Sequence, residues 1–438
     1  MWAEALRFLS LADANVRHVL LGSMLLAGTT GVVGCFTFLR KRSLVGDAIS
    51  HAALPGVCLA YLLFGSKEPH VLLLGAIAAG WMGAISIDLI RNYSPLKEDS
   101  AIAIVLTVFF GAGICLLTLI QGAGNASQAG LDKFLFGQAA SLMARDVWAL
   151  GMLSLILCGV VTLAFKEFKV LAFDPDFARA LGLRASTFEI LLTTLLVAAI
   201  AIGLQMVGVV LMAALLITPA AAARQWTDRL PRMLILAGGF GSAAGAVGAF
   251  ASSLAPRMPT GPWIVVTVTL FFVVSLLFAP RRGVLAQALR TLRGRTVVAS
   301  ENLITTLYRL GEHARDFSRP WPLESILRYR RLAAPKALGI LSQLEREGYV
   351  RGEGDRWILT QTGFQMAERI IRRHRLWELY LTEQVKLPVE KVHQDAEEIE
   401  HWLTQAQEDE LEVILSSPTT DPHTHPIPPA SRGREGEV

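Results

Sequence analysis

Apolar residues run in long unbroken blocks through the first 280 positions, and after that they alternate with charge. Blocks such as VRHVLLGSMLLAGTTGVVGCFTFL (16–39) and MLILAGGFGSAAGAVGAFASSLA (233–255) exceed the ~20 residues that a hydrocarbon core requires. The pattern predicts nine membrane spans, at 16–39, 44–64, 70–90, 100–120, 146–165, 186–203, 205–223, 233–254 and 262–279. Gly203, Leu204 and Gln205 are all that divides the sixth from the seventh, so an eight-span chain fits the pattern as well. The first block is longer than a signal-peptide core and lacks a clear cleavage site, so it is expected to be retained.

Beyond residue 282 the period shortens to that of soluble elements. VLAQALRTLRGRTVVAS reads as a basic linker (283–299), attracted to anionic headgroups. Ser300 is placed as the N-cap of a helix whose stripe is Leu303, Ile304, Leu307, Tyr308 and Leu310. Residues 322–363 have the rhythm of two short helices and a hairpin, with Gly348 as a helix stop, GEGD at 352–355 as the turn and WILT as the return strand. That is a winged helix-turn-helix, whose second helix enters DNA in some proteins and binds protein in others. The fold expected is therefore an all-α polytopic membrane bundle followed by a mainly α winged-helix domain with a further helical region. Its divisions are 1–282, 283–299, 300–363, 364–428 and a disordered tail at 429–438.

Charge separates the halves and orients the first. Residues 1–280 hold 18 Lys+Arg and 14 Asp+Glu, against 23 of each in 281–438. Loops on one side of the predicted membrane carry twelve cations, beginning with Arg40, Lys41 and Arg42, while the other side has four. The positive-inside rule then puts the N-terminus outside and the C-terminal region in the cytoplasm. Cys35, Cys58, Cys115 and Cys158 all lie in apolar blocks without CxxC spacing, so disulfides and zinc ribbons are not expected.

One polar pair interrupts the second block. Asp47 and His51 in VGDAISHAALPGV stand at i and i+4, on one helical face. An intramembrane carboxylate costs a few kcal/mol unless it is paired, wetted or metal-bound. Two readings stay open on the residues alone: a donor pair for Mn, Fe or Zn ions, or a buried hydrogen bond that locks helices. His18 and His70 have no acidic partner in the pattern and receive no role, and Asp88 is expected to snorkel to the cytoplasm.

The cytoplasmic loop FDPDFARALGLRAS (173–186) predicts a short amphipathic helix with Phe177, Leu181 and Leu183 apolar and Gly182 as its stop. An interfacial helix and a docking helix explain it equally. Taken together, VGDAISHAALPGV, the LFG-Q segment at 135–138 and DPDFARALGLR resemble the permease subunits of metal-uptake ABC transporters for manganese, zinc and iron, over about residues 10–282. The resemblance implies that 174–184 is a coupling helix for a separate ATPase subunit, with Asp176, Ala178, Leu181 and Gly182 at the contact. It also implies that Asp47 and His51 touch the transported ion, and it raises the metal reading of that pair. A metal-binding solute receptor and a second permease copy or paralogue are the further partners implied. No GxxxxGK[ST] loop occurs, so no nucleotide is expected on this chain, and its role is transport rather than enzymatic.

Residues 365–404, with RRHRLWELYL and EEIEHWL, and the DPHTHPIP tail at 421–428 resemble the diphtheria-toxin-repressor family of manganese- and iron-dependent repressors. The resemblance implies one metal site at His374, Glu378 and His393. It implies a second at Glu397, Glu400 and His401, completed from the first helix by Asn302. The same likeness implies Mn2+, or Fe2+ or Zn2+, as the resident ion and a dimer of these domains. Thr305 stands where manganese sensors carry a nearby glutamate, which weakens the second site in charge, while a carboxylate at 397 favours harder ions. LAAPKALGILSQL lacks the small hydroxyl residues that contact DNA, although Arg328, Arg330, Arg331 and Lys336 could reach phosphates.

The combined expectation is a permease for divalent transition-metal ions, manganese foremost, in a bacterial cytoplasmic membrane, with a metal-sensing tail that regulates transport. One alternative is a metal-dependent transcriptional repressor acting on DNA, tethered or released by proteolysis in 283–299. A second is a permease for chelates or cobalamin.

Overall fold

The structure is a computed structural model. It describes residues 6–8, 10–66, 68–122, 137, 142–255, 258–330, 332–389, 391–392, 396, 399, 401 and 403–430, and for Gln205 and Arg293 the backbone alone. The chain divides into two compact units, Met1–Gln287 and Ala288–Val438.

Among the described residues of the first unit, nine helices are long and apolar enough to span a membrane. They are α1 (Ala14–Leu39), α2 (Ser43–Phe64), α3 (Pro69–Tyr93), α4 (Glu98–Gly122), α5 (Ala144–Leu163), α8 (Ala185–Met206), α9 (Val209–Trp226), α10 (Leu230–Ser253) and α11 (Thr260–Phe278). Two short helices, α6 (Phe165–Phe173) and α7 (Pro175–Ala180), lie between α5 and α8. The nine-span pattern is the one observed. What ends α8 is Gly208, whose φ of 86° and ψ of 165° no helix accommodates, rather than the stretch at 203–205.

α1 is the most enclosed span, and it packs on α5, α8, α9 and α10. α2 packs on α3 and α4. Lipid offers no hydrophobic force between helices, so close backbone approach must supply the attraction. Gly56 on α2 and Gly75 on α3 show how close: a Cβ on Gly56 would sit 2.1 Å from the Gly75 carbonyl oxygen. Both arginines at the α1–α2 turn meet acids. Arg40 meets Glu189 at 2.9 Å, and Arg42 meets Glu98 at 2.7 Å and Asp88 at 3.9 Å. Asp88 thus reaches a cation, the outcome expected of a side chain leaving the bundle.

α12 runs without a break from Val284 to Ala314. The expected linker is therefore helix, and Ser300 is an interior, buried residue rather than an N-cap. The reason is that no proline interrupts the segment, and the apolar period of Leu285, Leu289 and Leu292 runs straight on into Leu303 and Leu307.

In the second unit follow β1 (Trp321–Pro322), α13 (Leu323–Tyr329), α14 (Ala334–Arg346), β2 (Val350–Glu353), β3 (Arg356–Leu359), α15 (Gln361–Glu383) and α16 (Gln405–Ile414). The sheet is antiparallel in the order β1-β3-β2, with Val350 opposite Leu359 and Glu353 opposite Arg356. Gly348 (φ 80°) closes α14 and Gly354 (φ 68°) makes the hairpin turn, so the winged helix-turn-helix is formed as expected. Leu303, Leu307, Ile326, Leu341, Leu344, Trp357 and Ile371 share its core.

Candidate functional site

α2 carries Asp47 and His51 on the face that α4 covers. The imidazole Nε2 stands 3.5 Å from Asp47 Oδ1, longer than a strong hydrogen bond, and the side chains are 14% and 28% exposed. Phe110 of α4 meets the imidazole edge-on, with centroids 4.7 Å apart. His51 Nδ1 is buried and has no hydrogen-bond partner among the described residues. Such an atom in a folded interior calls for a ligand or water to complete it. Pro55, four residues on, has no N–H to give the His51 carbonyl, so a backbone oxygen is released at the same level of the helix. The pair is thus an oxygen and nitrogen donor set that is not closed on itself, a geometry suited to a passing cation more than to a structural hydrogen bond.

At the opposite end of the bundle from Arg40–Arg42, Glu68, His70, Arg145 and Asp146 line a cleft of about 710 Å³. His70 Nε2 lies 2.7 Å from Glu68 Oε2. The sequence pattern assigned His70 no partner. Its partner is two residues away, a spacing that shares no helical face but meets across the N-terminus of α3.

The coupling segment forms as α7, capped by Asp174, whose Oδ1 accepts from Phe177 N at 2.9 Å, and ended by Gly182 at φ 77°. Phe177 and Leu181 are exposed, and Asp176 stands in solvent, held to Arg179 at 2.8 Å. Ala178 is 1% exposed. It faces inward, unlike the other residues expected at that contact, whereas its neighbour Phe177 faces outward. Of the LFG-Q segment only Gly137 is among the described residues.

In the second unit two buried acid–imidazole pairs stand where metal ligands were expected. On α15, His374 Nε2 lies 3.1 Å from Glu378 Oε1, both almost fully buried. His401 Nδ1 lies 2.5 Å from Oε2 of Glu301, on α12. Asn302, the residue expected there, points elsewhere: its Oδ1 accepts from Arg330 at 3.1 Å, and its carbonyl accepts from Thr305 and Thr306. One residue along a helix is a turn of about 100°, which is why the first-helix residue that meets His401 is Glu301. Thr305 is buried and bonded within α12. His393, Glu397 and Glu400 lie outside the described residues, as does Arg331.

Among the described residues no group of three or more His, Cys, Asp or Glu side chains is placed to hold a metal. The chemistry of the two described pairs, an imidazole and a carboxylate in each, nonetheless fits a borderline divalent cation. Away from these pairs, burial pushes the Tyr308 phenol up to about 12 and also raises Glu368.

Three arginines of RRHR are structural. Arg372 meets Glu408 at 3.0 Å and Glu412 at 2.8 Å and donates to Pro428 O at 2.6 Å. Arg373 shares Glu408 at 3.0 Å. Arg375 joins Glu312 of α12 at 2.7 Å to Asp421 and the Pro426 carbonyl of the tail. As for DNA, Arg330 faces a 690 Å³ cleft beside α12, with Arg290 and Arg295. On α14, Lys336 and Arg346 are exposed together with Pro335, Leu338, Gly339, Ser342 and Glu345.

Residues 12–279 match the family model of the ABC 3 transport family, and residues 360–429 match that of the iron dependent repressor, metal binding and dimerisation domain. The manganese transport system membrane protein MntC of Bacillus subtilis is 44% identical over 381 residues, 87% of each chain. The zinc transport system membrane protein TroC of Treponema pallidum is 43% identical over 282 residues, which cover 64% of this chain and 95% of that one. Among solved structures, PsaBC from Streptococcus pneumoniae in complex with Fab superimposes with a TM-score of 0.57 at 33% identity, over 64% of this chain and 98% of that chain. With nine membrane-length helices, the Asp47–His51 pair and this coverage, the chain belongs to the ABC 3 transport family, and it carries an iron-dependent-repressor metal binding and dimerisation domain at its C-terminal end.

Proposed function

We propose that this chain is the permease of an ATP-driven importer of divalent transition-metal ions, manganese foremost, and that its C-terminal domain senses the same ions and adjusts transport. The observation that carries the reading is the open Asp47–His51 pair in the enclosed α2. Two side-chain donors leave the ion most of its water, so it enters without full dehydration and leaves without a deep well, as conduction requires. The resemblance of the first unit to manganese and zinc permeases supports the substrate class.

In this scheme the N-terminus is outside and the second unit is cytoplasmic. A metal-binding solute receptor delivers the ion at the cleft of Glu68 and Asp146. A separate ATPase subunit seats Phe177 and Leu181 in a groove, and its closure moves the bundle, built with a second permease copy or a paralogue. In the tail, His374, Glu378 and His393 would hold one resident ion, and Glu301, Glu397, Glu400 and His401 another. The bound cation supplies positive charge among buried carboxylates, which otherwise repel. Arg372 and Arg375 hold α15, α16 and the 419–428 segment in register so that these carboxylates and imidazoles stay together, and the tail pairs with a second copy.

Uptake of radioactive manganese by cells expressing the chain with its ATPase and receptor tests the pathway. Asp47→Ala and His51→Ala should each reduce uptake at least about tenfold with membrane abundance unchanged. Undiminished uptake with Asp47→Ala would remove the pair from the ion path. For the tail, residues 288–438 have their own core. Absence of Mn(II)-dependent, sequence-specific binding of this unit to its operon's promoter is the expected result; such binding would instead support the repressor reading.

A further inference from the structure

α12 buries one face in its second half and leaves that same face bare in its first. Leu303 and Leu307 are 0% and 2% exposed in the winged-helix core. Stepping back along the helix by three and four residues, through Ala299 and Thr296, the stripe reaches Leu292, Leu289 and Leu285. These three leucines are 60%, 56% and 45% exposed. Water is a costly neighbour for three aligned leucines, so the stripe has a partner.

Position and charge say which. The helix begins six residues after Phe278, where the last span ends. Arg281 and Arg282 reach Asp228, at 3.7 and 2.5 Å, and so tie the chain to the α9–α10 turn just before α12 starts. From Asp228 to Glu301 the sequence holds no other acid, yet α12 brings Arg290, Arg293 and Arg295 to that stretch. A leucine stripe flanked by arginines and free of carboxylates is the make-up of a helix lying in the bilayer interface. Anionic headgroups attract such cations. A second copy of the same helix would set three cations against three, with no carboxylate to offset them.

We infer that residues 284–297 lie on the membrane surface and bind anionic phospholipid, with Leu285, Leu289 and Leu292 among the acyl chains and Arg290 and Arg295 at headgroup phosphates. The inference does not depend on which ion is transported or sensed.

The test uses the full chain in nanodiscs of phosphatidylcholine with or without phosphatidylglycerol. A benzophenone amino acid replaces Leu289 or Leu292 on the stripe, or Gln287 or Thr291 on the opposite face, and irradiation is followed by mass analysis of the adducts. Lipid adducts should form several-fold more at 289 and 292 than at 287 and 291, and they should rise with phosphatidylglycerol. The combined variant Arg290→Gln, Arg293→Gln and Arg295→Gln should abolish that rise. Equal lipid yields at all four positions would overturn the inference. So would adducts between two copies of the chain in place of lipid, or a phosphatidylglycerol response that survives removal of the three arginines.

Discussion

Glu301 and His401, a hundred positions apart, meet with Oε2 and Nδ1 at 2.5 Å, while the adjacent Asn302 turns to Arg330. If this imidazole is a metal ligand in the tail, Glu301 orients it or shares its ion. Removing such a group typically lowers affinity by about 10- to 100-fold. Glu301→Ala is expected to weaken Mn(II) binding to the 288–438 unit within that range, measured by calorimetric titration. Asn302→Ala should leave the affinity near that of the unaltered chain. The reverse ranking would return the first-helix donor to Asn302.

Glu408 answers two guanidiniums at once, Arg372 and Arg373, and is itself 3% exposed. Removing one partner of a buried pair strands the other's charge, at about 3–5 kcal/mol. Glu408→Ala should therefore destabilise the second unit by about that much in urea unfolding. It should also open the 419–428 segment to protease, because Arg372 also holds the Pro428 carbonyl. A loss below about 1 kcal/mol would show that Glu412 alone satisfies Arg372.

How much of this could be read in the sequence depended on range. The spans were legible because membrane thickness sets their length, and Asp47 with His51 because i, i+4 fixes a shared face. Gly348 and Gly354 announced the winged hairpin by local backbone demands. The continuity of α12 was hidden by Ser300, a good cap residue that lies inside a helix because tertiary burial of Leu303 and Leu307 outweighs a local preference. Glu301 was missed because the choice between neighbours on a helix is settled by where a distant His401 lies. The ion pairs of the RRHR arginines could not be read from the sequence. Their partners Glu408 and Pro428 are 36 and 56 residues away, beyond any periodic signal.

Gly34 of α1 lies against α9 so closely that a Cβ there would fall 1.8 Å from the Leu216 carbonyl oxygen. Backbone cannot retreat as a flexible side chain can, so α1 and α9 would have to part. Overpacking of this kind costs about 1–3 kcal/mol or more. Gly34→Ala is expected to lower the detergent melting temperature of the full chain and to reduce its yield. Gly239→Ala, with nothing within 4 Å, should do neither. Equal melting of the two variants would mean that α1 and α9 do not approach as described.

α7 exposes two large apolar side chains and buries a small one within a single turn. Phe177 and Leu181 are 54% and 57% exposed, whereas Ala178 between them is 1% exposed. Phe177→Glu places a charge where an ATPase groove would have to desolvate it, without disturbing the bundle. That variant should melt like the unaltered chain yet lose most of the co-purifying ATPase and the metal uptake that depends on it. Ala178→Glu buries the charge instead, so it should reduce stability and yield first, with ATPase binding lost only as a consequence. Leu181→Glu should behave as Phe177→Glu does, since both side chains leave the same side of the helix. If Phe177→Glu and Leu181→Glu retain the ATPase in full, the exposed residues of α7 rest on lipid, and the coupling contact lies elsewhere on the cytoplasmic face.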